Sequence, residues 1–269
     1  MGVWRRFAVV VICLVASDKS IANERRFAYT YESLVLPYGA MEIELWTTPR
    51  LMRDHYFVRF DQRLEHEVGL GKDVQSAFYL NALGQAETSD IGLVKKSEFR
   101  GVSWEWKWKV SDPSANWIGS ALYGEVTFMP HELELEAKVI LDRWLGPVLL
   151  AYNLVGEFEL EAESDKGADL EWERVGFVEN VLGVSYQVHS RCGIGLEVLN
   201  RNRFAENRLD YSAILLGPTL SASAGRWWVV LTFLAQLPSL RNSEGSPHKS
   251  LVLDDLERYQ ARLLLGYHL

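Results

Sequence analysis

The sequence predicts an all-β fold, an antiparallel transmembrane β-barrel of about twelve strands that follows an N-terminal signal peptide. Three observations predict it: charges that skip every second residue, a secretory leader, and a final segment that runs apolar on one face to the carboxyl end. In Glu132-Leu133-Glu134-Leu135-Glu136-Ala137-Lys138-Val139 the charged side chains hold the even positions, and Ser103-Trp104-Glu105-Trp106-Lys107-Trp108-Lys109 repeats the pattern with three tryptophans. Successive side chains of a strand point to opposite faces, so each run has one charged and one apolar face. A soluble sandwich turns the apolar face inward; an outer-membrane barrel turns it to lipid and lines its lumen with the charges. The soluble alternative would be a secreted or periplasmic β protein.

The leader favours the membrane reading. Arg5 and Arg6 precede an apolar run from Phe7 to Ala16, and Ser20-Ile21-Ala22 has the small residues of a signal-peptidase site. The expected cut follows Ala22, with one near Ser17 as the alternative. Cys13 lies within the apolar run after Ile12, which is no lipoprotein cleavage context, so no lipid anchor is expected. Loss of residues 1–22 removes Arg5, Arg6, Lys19 and Asp18 and deepens the formal net charge from −8 to about −10. Nucleic acid and anionic lipid are therefore poor main partners. Only Cys192 remains, which rules out an intramolecular disulfide.

Alternation and turn chemistry place strands at 40–49, 55–70, 74–83, 99–110, 117–128, 132–142, 147–160, 170–187, 192–201, 210–222, 226–237 and 254–269. The span 170–187 is long enough for a bulge. The connections at 71–73, 111–116, 143–146, 188–191 and 223–225 are short, whereas those at 84–98, 161–169, 202–209 and 238–253 are longer. Bacterial barrels show this alternation of periplasmic turns and outer loops around an even strand number. Fourteen strands is the alternative count. Residues 27–36 break the parity, so residues 23–39 are expected at the periplasmic side or inside the barrel as a small plug, with the barrel itself over 40–269.

In the last strand Tyr259, Ala261, Leu263, Leu265, Tyr267 and Leu269 share a face opposite Arg258, Gln260, Arg262 and His268. Outer-membrane barrels typically finish in this way, usually on an aromatic residue where this chain has Leu269. FAYTYESLVLPYGAMEIELWTTPR at 27–50, EVGLGKDVQSAFYLN at 67–81, GVSWEWKWKVSDP at 101–113, AYNLVGEFE at 151–159, LLGP at 215–218 and YQARLLLGYHL at 259–269 carry a further likeness. With these segments the chain resembles an uncharacterised family of predicted Gram-negative outer-membrane β-barrel proteins. The resemblance implies location in the bacterial cell outer membrane, contact with outer-membrane lipid and insertion by the barrel assembly machinery; it implies no activity.

The charge ladders are the strongest functional signal. Glu42, Glu44, Arg59, Asp61, Arg63, Glu65, Glu67, Glu105, Lys107, Lys109, Glu132, Glu134, Glu136, Lys138 and Arg262 are expected to line the lumen, and Trp104, Trp106, Trp108, Trp227 and Tyr267 to face lipid or its interfacial girdles. The plainer reading is that the ladder only solvates the inner wall. Mixed signs favour ion pairs across the lumen, and an excess of carboxylates along an open path favours cations. The expected function is a channel or transporter for small polar or charged solutes. The alternatives are a lipid-modifying enzyme and a structural or binding barrel with a sealed lumen. Catalysis by a histidine is weakly signalled: His189-Ser190 is the only close pair, and neighbouring strand residues point apart. His131 with Glu132 and Glu134 falls short of a metal motif, so neither metal nor other cofactor is expected. Gly69-Leu70-Gly71-Lys72-Asp73 lacks the spacing of a phosphate-binding loop and reads as a hairpin turn.

Overall fold

The computed structural model describes residues 24–89, 92–163, 171–206, 208–244, 246–247 and 250–269; the predicted signal peptide lies outside them. Twelve strands run in chain order: β1 Met41–Leu51, β2 Phe57–Gly71, β3 Val74–Ser89, β4 Gly92–Ser111, β5 Gly119–Phe128, β6 Glu132–Leu145, β7 Val148–Glu163, β8 Glu171–His189, β9 Cys192–Ala205, β10 Arg208–Ala224, β11 Trp227–Arg241 and β12 Tyr259–His268. Each pairs antiparallel with its chain neighbours, and β1 pairs with β12 to close the barrel. Closure leaves no exposed sheet edge.

The alternation read from the sequence becomes the two sides of the wall. Leu45, Leu64 and Leu80 stand opposite one another across β1, β2 and β3, and all three are exposed on the outside. Glu42, Glu44, Glu65 and Glu105 are buried inside. The end where β1 begins and β12 stops, the terminal end, carries tight turns. Between β2 and β3 only Lys72 and Asp73 intervene, with φ of 52° and 61°, the left-handed pair that a two-residue hairpin needs. At the wider turn after β4, the Ser114 N–H donates to Asp112 at 2.8 Å and holds that carboxyl below its usual range.

The opposite end departs from the expected boundaries. Strands β3 and β4 pair from Asn81/Gly101 up to Ser89/Gly92, so most of the loop expected at 84–98 is a hairpin that continues the wall. The expected strand at 254–269 begins only at Tyr259. Before it, Val252 and Leu256 turn inward and are buried; Gln236 exchanges two hydrogen bonds with the Val252 backbone, and Glu257 meets Arg50 at 2.8 Å. These contacts give the inturned backbone hydrogen-bond partners in place of a strand ladder. In β8 the register shift falls at Gln187/His189, beside the turn into β9.

Inside the terminal half lies the N-terminal segment. Phe27, Ala28, Tyr29, Thr30, Tyr31 and Ser33 are buried, and Ala28, Tyr29 and Tyr31 share one apolar cluster with Trp46, Tyr123, Val181, Leu199, Leu215 and Trp228. The inner wall is thus charged on some strands and apolar on others, where it packs against this segment. Glycines make room for it. A Cβ on Gly183 would lie 2.7 Å from the Phe27 ring, and one on Gly69 2.0 Å from the Pro37 carbonyl oxygen. Gly183→Val should therefore loosen the segment by about 1–3 kcal/mol through overpacking. Limited proteolysis should then cut within residues 24–36; unchanged protection would mean that Phe27 re-seats elsewhere.

Candidate functional site: the lumen

The lumen divides into a sealed terminal half and an open vestibule. The seal is built from four inward side chains on four strands. Glu197 of β9, fully buried, accepts the backbone N–H groups of Ala28, Tyr29 and Thr30, each at 2.8 Å, together with the hydroxyls of Thr30 at 3.1 Å and Thr232 at 2.7 Å. Asn153 of β7 accepts from the Tyr31 N–H at 2.6 Å and donates to its carbonyl at 2.9 Å. Asp142 of β6 accepts from the N–H and hydroxyl of Ser33, and Gln75 of β3 accepts from the Leu36 N–H. A buried segment outside the sheet has no strand partner for its backbone, so side chains must supply the hydrogen bonds. Tyr31 also meets two cations, with Arg25 4.3 Å and Lys138 3.9 Å from its ring centre, and Arg262 lies 4.1 Å from that of Tyr29.

The residues predicted to line the lumen occupy distinct levels of it. Nearest the terminal end, Glu42 takes the Trp228 indole N–H at 2.5 Å and lies 2.6 Å from His268 Nδ1, while Lys109 pairs with Asp73 at 2.9 Å at the rim. Glu44 accepts the Trp46 N–H, and Glu105 accepts the Tyr79 hydroxyl. Glu65 and Lys107 are buried at this level. Higher up, Arg63 bonds Glu125, Lys138 pairs with Glu136 at 2.8 Å, and Asp61 lies between Arg50 and Arg59 at 2.6 and 2.7 Å. Arg100 pairs with Glu132 at 3.0 Å.

Above the seal, a cavity of about 460 Å³ opens toward the far end. Its charges are partly segregated, with Asp61 and Glu257 paired among the arginines and Arg201 paired with Glu157. Arg50, Arg59, Arg63, Arg100 and Arg262 come from β12, β1, β2 and β4; Glu132, Glu134, Glu157, Glu159 and Glu161 come from β6 and β7. Such facing walls set up a field across the lumen rather than along it. A smaller space of about 150 Å³ shares Arg50, Arg63, Glu134, Glu157, Arg201 and Arg262 with it and reaches down to Tyr29 and Tyr31. From the far end, these two spaces reach Tyr29 and Tyr31 of the N-terminal segment.

On the outside, Trp104, Trp106, Trp108 and Trp227 are 50%, 41%, 52% and 51% exposed, and Trp227 meets Tyr267 at 4.6 Å between ring centres. The enzymatic alternative rests on histidine geometry. His189 and Ser190 sit 3.4 Å apart in an exposed turn, where the Arg191 N–H also donates to His189 Nδ1, an arrangement that closes the turn. Sequence reasoning missed the anchors of the seal. Glu197 carried a usable signal: on its inward face it follows Gly193 and Gly195, a lone acid beside two positions with no side chain.

Residues 19–269 match a family of unknown function (DUF6662). The chain belongs to this family. Comparison with curated proteins finds no match. Among solved structures, the fold is similar to an outer membrane channel from Pseudomonas putida F1, at 11% identity and a TM-score of 0.63 over 88% of this chain and 98% of that one. It is also similar to the NanC porin, at 11% identity and 0.53 over 84% and 100%. A third similar structure is the translocator domain of the autotransporter NalP from Neisseria meningitidis, at 10% and 0.51 over 85% and 88%. At such identities the likeness is one of fold, and these neighbours are outer-membrane barrels.

Proposed function

We propose that this family member is an outer-membrane channel for small polar or charged solutes, closed by its own residues 24–36. The observation that carries the reading is a charged vestibule that leads inward from the open end and stops at Tyr29 and Tyr31. The obstruction is held by apolar packing of Phe27, Tyr29 and Tyr31 and by hydrogen bonds to Glu197, Asn153, Asp142 and Gln75, groups that water can satisfy in its place. The apolar outer wall makes membrane lipid its natural surroundings, reached through the barrel assembly machinery. The opposed arginine and glutamate walls suit solutes that carry charge, above all those with both signs.

Planar-bilayer conductance tests this. The wild-type barrel should conduct rarely or not at all, and a variant lacking residues 24–36 should conduct steadily. A folded deletion variant that stays silent would remove the channel reading and leave the binding barrel with a sealed lumen. In the open variant, changing Glu132, Glu134 and Glu136 together to Gln should lower the cation-to-anion permeability ratio by about twofold or more, because the acidic wall then loses its field. An unchanged reversal potential would show that solutes do not pass that wall.

A further inference from the structure

We infer that the lumen holds one divalent cation on Glu44, Glu65 and Glu67, with Glu105 beside it, at the level of the N-terminal segment. One carboxylate oxygen from each of Glu44, Glu65 and Glu67 lies within 4.8 Å of the other two. Two oxygens bound to one calcium-sized ion at about 2.4 Å can be no further apart than about 4.8 Å. The cluster therefore has the span of a coordination shell.

A second observation comes from partners that are missing. Glu65 is 1% exposed and abuts the Glu67 carboxyl group, yet neither of its carboxylate oxygens accepts from an N–H or hydroxyl donor among the described residues. The same holds for Glu105 Oε1, in a side chain 0% exposed. Glu105 lies two strands from Glu67 in the same register, with only the small side chain of Ala77 between them. A buried carboxylate oxygen without a donor is costly unless a cation sits against it or a shared proton neutralises it.

The charges on this level favour a divalent ion. Glu42 is occupied by His268 and Trp228. Glu44, Glu65, Glu67 and Glu105 face two cations: Arg25, 3.8 Å from Glu44, and Lys107, whose nitrogen lies 5.9 Å from the Tyr31 ring centre. Four carboxylates against two cations leave the charge of one divalent ion unbalanced. Trp46 and Gln75 donate to Glu44 and Glu67 at 2.6 and 3.2 Å, and these bonds orient both carboxylates without taking up Glu65. An all-oxygen donor set selects hard cations of the calcium, magnesium and manganese class.

The test uses the purified full-length barrel in detergent, stripped with EDTA and titrated with Mn²⁺ alone. Electron paramagnetic resonance should find one tightly held ion per chain, displaced by Ca²⁺, and Ca²⁺ should raise the unfolding temperature. Bound Mn²⁺ should broaden the amide resonances of Glu44, Glu65 and Ala77 and spare those around Glu159, which locates the ion without any mutation. Glu65→Gln should weaken binding at least tenfold, whereas Glu134→Gln, on the vestibule wall, should leave it unchanged. Absence of bound Mn²⁺ at millimolar concentration would overturn the inference and mean that shared protons neutralise the cluster. Broadening confined to the Glu132, Glu134 and Glu159 group would overturn it as well. Conductance is no part of this readout, so the cation site and the channel stand or fall separately.

Discussion

Glu197→Ala is expected to release the N-terminal segment from the barrel wall. One carboxylate satisfies three consecutive backbone N–H groups and two hydroxyls, all deeply buried. Its removal leaves donors with nothing to bond, and each such buried group costs about 1–3 kcal/mol. These costs are not additive, but even about 3 kcal/mol multiplies the released population more than 100-fold. Hydrogen exchange should show it directly: the amides of Ala28, Tyr29 and Thr30 pass from slow to fast while strand amides keep their protection. In the bilayer, Glu197→Ala should conduct part of the time. Retained protection at all three amides would show that the apolar packing of Phe27, Tyr29 and Tyr31 holds the segment by itself. Glu197→Gln keeps one acceptor oxygen and should give an intermediate result.

Leu64→Arg is expected to produce the largest loss of stability on the outer wall. Leu64 stands midway along β2, exposed between Leu45 and Leu80. If that surface meets hydrocarbon, an arginine there costs about 2–4 kcal/mol, against about 0–1 kcal/mol near the interface. Leu93→Arg, at the far rim of β4, should accordingly be nearly neutral. Reversible unfolding from lipid bilayers measures both. Equal effects at the two depths would mean that water covers the whole wall, and the membrane location would fall with them.

How much of this could be read beforehand depended on the range of the interaction. The strands and the two faces of the wall follow from a period of two, which is local, while their number, about twelve with fourteen as the alternative, leaned also on loop lengths. The β1 and β4 ladders, Glu42-Ile43-Glu44 and Trp104-Glu105-Trp106, carry that period undiluted. Where polar residues sit on an exposed hairpin, as over 84–98, local composition cannot tell a loop from paired strands. The extent of β3 and β4 was hidden for that reason. The N-terminal segment could be limited to the periplasmic side or the lumen by parity, but no local signal chose between them.

The alternating chemistry of the chain by itself determined a striped wall of about twelve strands, fourteen being the alternative, with an apolar outside, because side-chain direction in a strand is set residue by residue. The tertiary structure decided what fills that wall. Glu197 reaches residues 28–30 across more than 160 positions of sequence, and Glu44 meets Glu65 only through the register of β1 on β2. Contacts of that kind exist only after closure, since the barrel brings inward side chains from distant strands to one level of its axis.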